Sequence, residues 1–122
     1  MAKTILIIDD EVDFAATLRM RLEAGGYRII CAYEGKAGLE AAKKDSPDVV
    51  LLDLVMAEMN GFTVLAELKK DPYTAAIPVI IITAKTDREY ARDAENLGAD
   101  AYLSKPVKIA DLEATLKKFI VP

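Results

Sequence analysis

Polar residues stand directly behind the short apolar runs of this chain: Asp9 and Asp10 after TILII, Asp53 after VVLL, Thr83 after VIII, and Lys105 just beyond ADAYL. Three carboxylates brought together repel one another, so each holds its proton more tightly and the cluster is unstable unless a cation sits among them. Oxygen donors with no histidine or cysteine beside them favour a hard divalent ion, Mg2+ or Mn2+, whose remaining positions go to waters and a phosphate oxygen. The backbone carbonyl of Val55 could complete the protein's share of such a site. Asp53, alone at the centre, is then placed to attack phosphorus and form an aspartyl phosphate. The ion and Lys105 would balance the charge that develops on the phosphoryl oxygens, Thr83 could hydrogen-bond one of them, and Ala84 leaves space beside it.

These residues are far apart in the chain, so the elements between them must gather them. Thr4 to Ile8, Arg28 to Cys31, Val49 to Leu52, Val79 to Ile82 and Ala99 to Leu103 read as strands, and the unbroken apolar runs have the habit of strands covered on both faces. Helical spacing separates them. A first helix begins near Val12 with Ala15, Leu18 and Leu22 on one face, and Gly25 and Gly26 stop it. A second runs from Gly35 to Lys44, with Ala37, Leu39, Ala41 and Ala42 as its small apolar face, until Ser46 and Pro47. Phe62, Leu65, Ala66 and Leu68 mark the third, which opens behind an Asn60-Gly61 turn. The fourth spans about Asp87 to Leu97, with Tyr90, Ala91, Ala94 and Leu97 inward, and Ile109, Leu112, Leu116 and Phe119 mark the last. Five strands alternating with five helices predict a doubly wound α/β sandwich with a largely parallel sheet. In such sheets ligands bind beyond the carboxyl ends of the strands, where the candidate residues stand.

At 122 residues the chain fits one domain, with no internal repeat or linker. Hydrophobic residues make up 52% and charged residues 30%, and the net charge of -4 is spread along the chain, which gives no basic stripe for nucleic acid and no polybasic membrane patch. Ile5 to Ile8 is too short for a signal or spanning segment, and the single Cys31 rules out an intrachain disulfide, so a cytoplasmic setting is expected. The chain has no histidine, which excludes imidazole bases, Ser-His and Cys-His pairs and histidine metal sites.

IIDDE around Asp9 and Asp10, Asp53, Met59-Asn60-Gly61, ITA at 82 to 84 and Lys105-Pro106 occur together, in order, over essentially the whole chain. In this the sequence resembles the receiver domain of two-component response regulators, with the single-domain chemotaxis regulator as its type. The resemblance implies a flavodoxin-like sheet of order 2-1-3-4-5 and one receiver domain over 1–122 with no output domain. Asp53 would accept phosphate from a histidine kinase or histidine phosphotransfer protein, with Mg2+ held by Asp9 and Asp10. Thr83 and Tyr102 would form a switch pair whose movement changes the surface of helix four, strand five and helix five, through which a downstream protein docks. The Lys105-Pro106 bond would be cis. A monomer or a weak, phosphorylation-dependent dimer is expected.

Some positions depart from common family patterns. Ala57 stands where many members have proline, which predicts a more mobile loop. Val55 and Lys85 occupy positions that tune phosphate loss in the family, and an apolar Val55 cannot orient an attacking water, so slow self-dephosphorylation is expected. Each residue also has a plainer reading: helix cap for Asp9-Asp10, strand-end hydroxyl for Thr83, solvated lysine for Lys105, edge aromatic for Tyr102. Met56 and Met59 read as apolar covers of the loop. Rival functions are an aspartate-nucleophile phosphatase, for which the chain lacks a second acid and a substrate cap, and a binding module that has lost phosphorylation. Met1 to Lys3 reads as a natural start and Val121-Pro122 as an end or a cut, so a receiver piece of a larger regulator or hybrid kinase remains an alternative.

Overall fold

The computed structural model describes residues 2–85 and 87–120; Met1, Val121 and Pro122 lie outside the described residues. The elements alternate strictly: β1 (Thr4–Ile8), α1 (Val12–Ala24), β2 (Arg28–Ala32), α2 (Gly35–Asp45), β3 (Val49–Leu52), α3 (Gly61–Lys70), β4 (Val79–Thr83), α4 (Arg88–Asn96), β5 (Ala101–Ser104) and α5 (Ile109–Leu116). All four pairings are parallel and the sheet order is β2-β1-β3-β4-β5, as expected.

The central strands are buried on both faces, which is why TILII, VVLL and VIIIT carry no alternating polar residues. Ile5, Ile7, Val49, Leu51, Ile80 and Ile82 point to the side covered by Ala15, Leu18 and Leu22 of α1 and by Leu112 and Leu116 of α5. Leu6, Ile8, Val50, Leu52, Val79 and Ile81 point to the other, under Ala42 of α2, Val64, Leu65 and Leu68 of α3, and Ala94 of α4. Each fully buried Ile or Leu contributes roughly 1.5–3 kcal/mol. No helix among the described residues is long and apolar enough to cross a membrane.

β2, α2 and β4 each run one residue further than expected, to Ala32, Asp45 and Thr83, and three further elements end differently for a visible reason. Strand five starts at Ala101 and not Ala99, because Ala99 N–H closes on Ala94 O as the end of α4, while the Asp100 carboxylate accepts Val79 N–H at 2.8 Å and Lys69 Nζ at 3.1 Å. Leu97, expected inward, caps α4 and is 39% exposed, since the helix ends at Asn96 and only Ala94 is buried. α5 stops at Leu116, and Phe119 reaches the core from the following turn. Asn60 does more than turn the chain: its Oδ1 accepts Phe62 N–H at 2.7 Å and so caps α3.

Gly61 is fixed by close approach. A Cβ there would lie 2.3 Å from the Asp53 carbonyl oxygen and 2.4 Å from Leu54 Cα, and Gly61 N–H donates to Leu54 O at 3.0 Å. α3 therefore begins against the backbone of β3's carboxyl end.

Candidate functional site

Parallel pairing brings the strand ends into one row. Ile8 is in register with Leu52 and Leu52 with Ile81, and Asp53 N–H donates to Ile8 O at 3.1 Å, so the residues after each strand meet at the same edge. Asp9, Asp10 and Asp53 each present a carboxylate oxygen within 4.8 Å of the others. Asp9 and Asp53 are buried and Asp10 is half-buried.

Lys105 reaches into this cluster from the loop after β5, which is held by Lys105 N–H donating to Thr83 O at 2.9 Å. Its ammonium lies 2.8 Å from Asp9 Oδ2, 3.0 Å from Asp53 Oδ2 and 2.7 Å from Glu11 Oε1. Only 9% of the side chain is exposed. Burial alone would push the ammonium's pKa down, but the hydrogen bonds it donates to Asp9, Glu11 and Asp53 outweigh it and hold Lys105 well above the ordinary lysine value. Burial pushes the Asp9 carboxyl up, against the pull of Lys105 and of Glu11 N–H. The lysine thus does locally what a bound cation does, neutralising acids that would otherwise repel.

The other carboxylate oxygens are held by backbone. Asp9 Oδ1 accepts Glu11 N–H at 2.9 Å, Asp53 Oδ1 accepts Val55 N–H at 3.1 Å, and Asp10 Oδ2 accepts Ala57 N–H at 3.0 Å. That last bond bears on the loop expected to be mobile. A proline at 57 has no N–H to give, so the residue that removes proline stiffness supplies a tether from the β3–α3 loop to Asp10. Met56 and Met59 pack partly buried against the core, as expected of loop covers. Val55 is 49% exposed at the mouth.

Thr83 is fully buried at the end of β4, and its Oγ1 accepts Lys85 N–H at 3.3 Å. Tyr102, half-buried on β5, donates its hydroxyl to the Lys85 carbonyl. Burial raises its pKa, with Asp87, Asp53 and Tyr90 adding to the effect. The Lys85 ammonium lies 5.8 Å from the Tyr90 ring centre. Thr83 and Tyr102 are thus linked through the two ends of one residue, Lys85. The Lys105-Pro106 peptide is cis.

A cluster of three strand-end acids, two of them bridged by a lysine, on a sheet of order 2-1-3-4-5, has a counterpart in known proteins: residues 5–117 match the response regulator receiver domain. The chain belongs to this family. Receiver domains of two-component signalling are phosphoryl-accepting switches, and relatives bear the name of regulators. The protein PilH of Pseudomonas aeruginosa is 42% identical over 116 residues, covering 93% of this chain and 91% of that one. The transcriptional regulatory protein CrdR of Helicobacter pylori is 35% identical over 119 residues, covering 98% of this chain but 55% of its own length. The chemotaxis protein CheY4 of Vibrio cholerae superposes with a TM-score of 0.93 at 25% identity, covering 98% of this chain and all of that one.

The receiver's acids and lysine are where the sequence put them, but two contacts were not foreseen. Glu11 pairs with Lys105, and the Phe14 ring lies 4.3 Å from the same ammonium. The signal was present. Glu11 is the N-cap of α1 and Phe14 lies in its first turn, so the start of the helix directly behind Asp9 and Asp10 carries both residues close to the strand ends.

Proposed function

We propose that the domain takes a phosphoryl group on Asp53 from the phosphohistidine of a histidine kinase or phosphotransfer protein and signals through a changed docking surface. The observation that carries this reading is the Lys105 ammonium lying between the carboxylates of Asp9 and Asp53. The donor set fits a hard divalent ion: three carboxylates within 4.8 Å, with no softer ligand among them. Asp9, Asp10, Asp53 and the Val55 carbonyl would hold Mg2+, or Mn2+, which when bound supplies charge stabilisation at the phosphoryl oxygens.

In the reaction Asp53 Oδ2 attacks phosphorus; the new P–O bond forms as the P–N bond to the donor imidazole breaks, and the imidazole nitrogen keeps the electron pair. Val55 N–H keeps Asp53 Oδ1 turned away, so that one oxygen faces the donor. Lys105 exchanges its contact with Asp53 Oδ2 for a phosphoryl oxygen, and the Thr83 hydroxyl leaves Lys85 N–H to donate to another. That departure frees the segment whose carbonyl Tyr102 holds, so Tyr102 and the surface of α4, β5 and α5 respond. An unidentified downstream protein would read that surface. Half-exposed, apolar Val55 offers an incoming water no hydrogen bond, which favours a long-lived phosphoaspartate; a half-life of seconds in Mg2+ buffer would contradict this.

The test is intact mass after incubation with acetyl phosphate and Mg2+, for wild type and Asp53→Asn. One added phosphate on the wild type alone is expected, and incubation with a phosphorylated phosphotransfer protein covers the case of a receiver that refuses small donors. No Asp53-dependent phosphate from either source would sink the reading.

A further inference from the structure

The Lys105 ammonium is held on its open sides by three carboxylates and on the remaining side by an aromatic face. Phe14, half-buried on α1 and packed against the core, places its ring centre 4.3 Å from Nζ. Two of the carboxylate partners, Asp9 and Asp53, belong to the cluster that would hold a divalent ion, and the third, on Glu11, is 62% exposed. When a phosphoryl group and an ion claim those oxygens, a four-carbon side chain with free rotors has little to keep it at the reaction centre. The ring is the one neighbour in this set whose hold on the ammonium involves no carboxylate.

We propose that Phe14 is a positioning residue for phosphoryl transfer, its π face keeping the Lys105 ammonium over Asp53 while the carboxylates change partners. This rests on Asp53 as phosphoacceptor. A merely structural Phe14 would fill space between α1 and the β5–α5 loop, a task leucine can perform. The two roles separate because only an aromatic face attracts the cation. The ring also lines a groove with Thr17, Arg21, Val107 and Lys108, so a hydroxyl added at this ring has a groove to enter.

The experiment measures the rate of acetyl phosphate-driven phosphorylation at saturating Mg2+ for Phe14→Leu, Phe14→Tyr, Lys105→Met and the double variant Phe14→Leu/Lys105→Met. Alongside, the Lys105 side-chain signals are recorded by NMR in protein with isotope-labelled lysine. A ring-current shift of the Lys105 methylene next to the ammonium is expected in the wild type, lost in Phe14→Leu and kept in Phe14→Tyr. Phe14→Leu should slow phosphorylation about 2- to 30-fold, the range open to a cation over an aromatic face, Phe14→Tyr should recover most of that, and in the Lys105→Met background Phe14→Leu should have no further effect. The proposal is overturned if the leucine and tyrosine variants are equally slow, if the leucine effect persists without Lys105, or if leucine slows nothing. A wild type that refuses acetyl phosphate is assayed with a phosphorylated phosphotransfer protein as donor; if the shift is present but the wild type takes up no phosphate from either source, it is the phosphoacceptor reading that has failed, and the Phe14 contact is then structural.

Discussion

Gly61→Ala tests whether the start of α3 fixes the geometry of Asp53. The added Cβ would sit 2.3 Å from the Asp53 carbonyl oxygen and 2.4 Å from Leu54 Cα, about 1 Å inside the 3.4 Å at which ordinary contact begins. Both obstacles are backbone atoms of buried residues, with Asp53 4% and Leu54 2% exposed, so neither can rotate away. Either α3 lifts, giving up the 3.0 Å bond from Gly61 N–H to Leu54 O, or the segment carrying Asp53 is pushed along the site. Overpacking of this kind costs about 1–3 kcal/mol, and with the lost hydrogen bond, about 1 kcal/mol more, the total should fall at 2–4 kcal/mol. A displacement near 1 Å of a reacting group costs on the order of 10²-fold in rate. Urea unfolding and the acetyl phosphate reaction read the two effects separately. An alanine variant within 0.5 kcal/mol of wild type that is phosphorylated at the normal rate would refute the reasoning.

Other perturbations have equally definite outcomes. Thr74 is 1% exposed and its Oγ1 donates to Leu68 O at 2.6 Å, so Thr74→Val, close in shape but without the donor, should lose about 1–3 kcal/mol in urea unfolding. Asp71 is held below the ordinary carboxylate range by Tyr73 N–H and by Lys43 at 3.0 Å. A depressed folded pKa stabilises above the unfolded value near 3.8 and loses that contribution as pH falls through the folded pKa, so Asp71→Asn should be less stable than wild type at pH 7 and converge with it below pH 3.8. Equal stability at both pH values would remove the pair from the account. Mg2+ at a hundred times its dissociation constant should add about 2.7 kcal/mol to the wild type; if Asp9→Asn gains as much, Asp9 is not a ligand.

The sheet was legible because its strands are runs of one character, and VVLL buried on both faces has no other reading at that length between turn residues. The strand-end acids were legible for a related reason: a carboxylate directly behind such a run can only emerge at the sheet's edge. Strand five was harder. ADAYL is weakly apolar, and its true start depends on where Asp100 spends its carboxylate, a contact to Val79 and Lys69 made across the fold. The Lys105 environment was half legible, since local sequence identifies the lysine but the ring and the extra acid come from the first turn and the N-cap of another element, α1. The Ala57 tether was hidden because its donor is a backbone N–H, which every residue but proline carries.

The same acids have a second consequence, for the unfolded chain. TILII, VVLL and VIIIT are uncharged, β-branched or aliphatic segments, the kind that stack between molecules once exposed. Behind them stand Asp9 and Asp10, Asp53 and, two residues after the last, Lys85. Charges at the ends of such segments act as gatekeepers against aggregation. Asp53→Asn therefore removes more than a nucleophile: it strips VVLL of its flanking charge on that side, so a variant made to silence signalling is also the one whose unfolded chains have less to keep them apart.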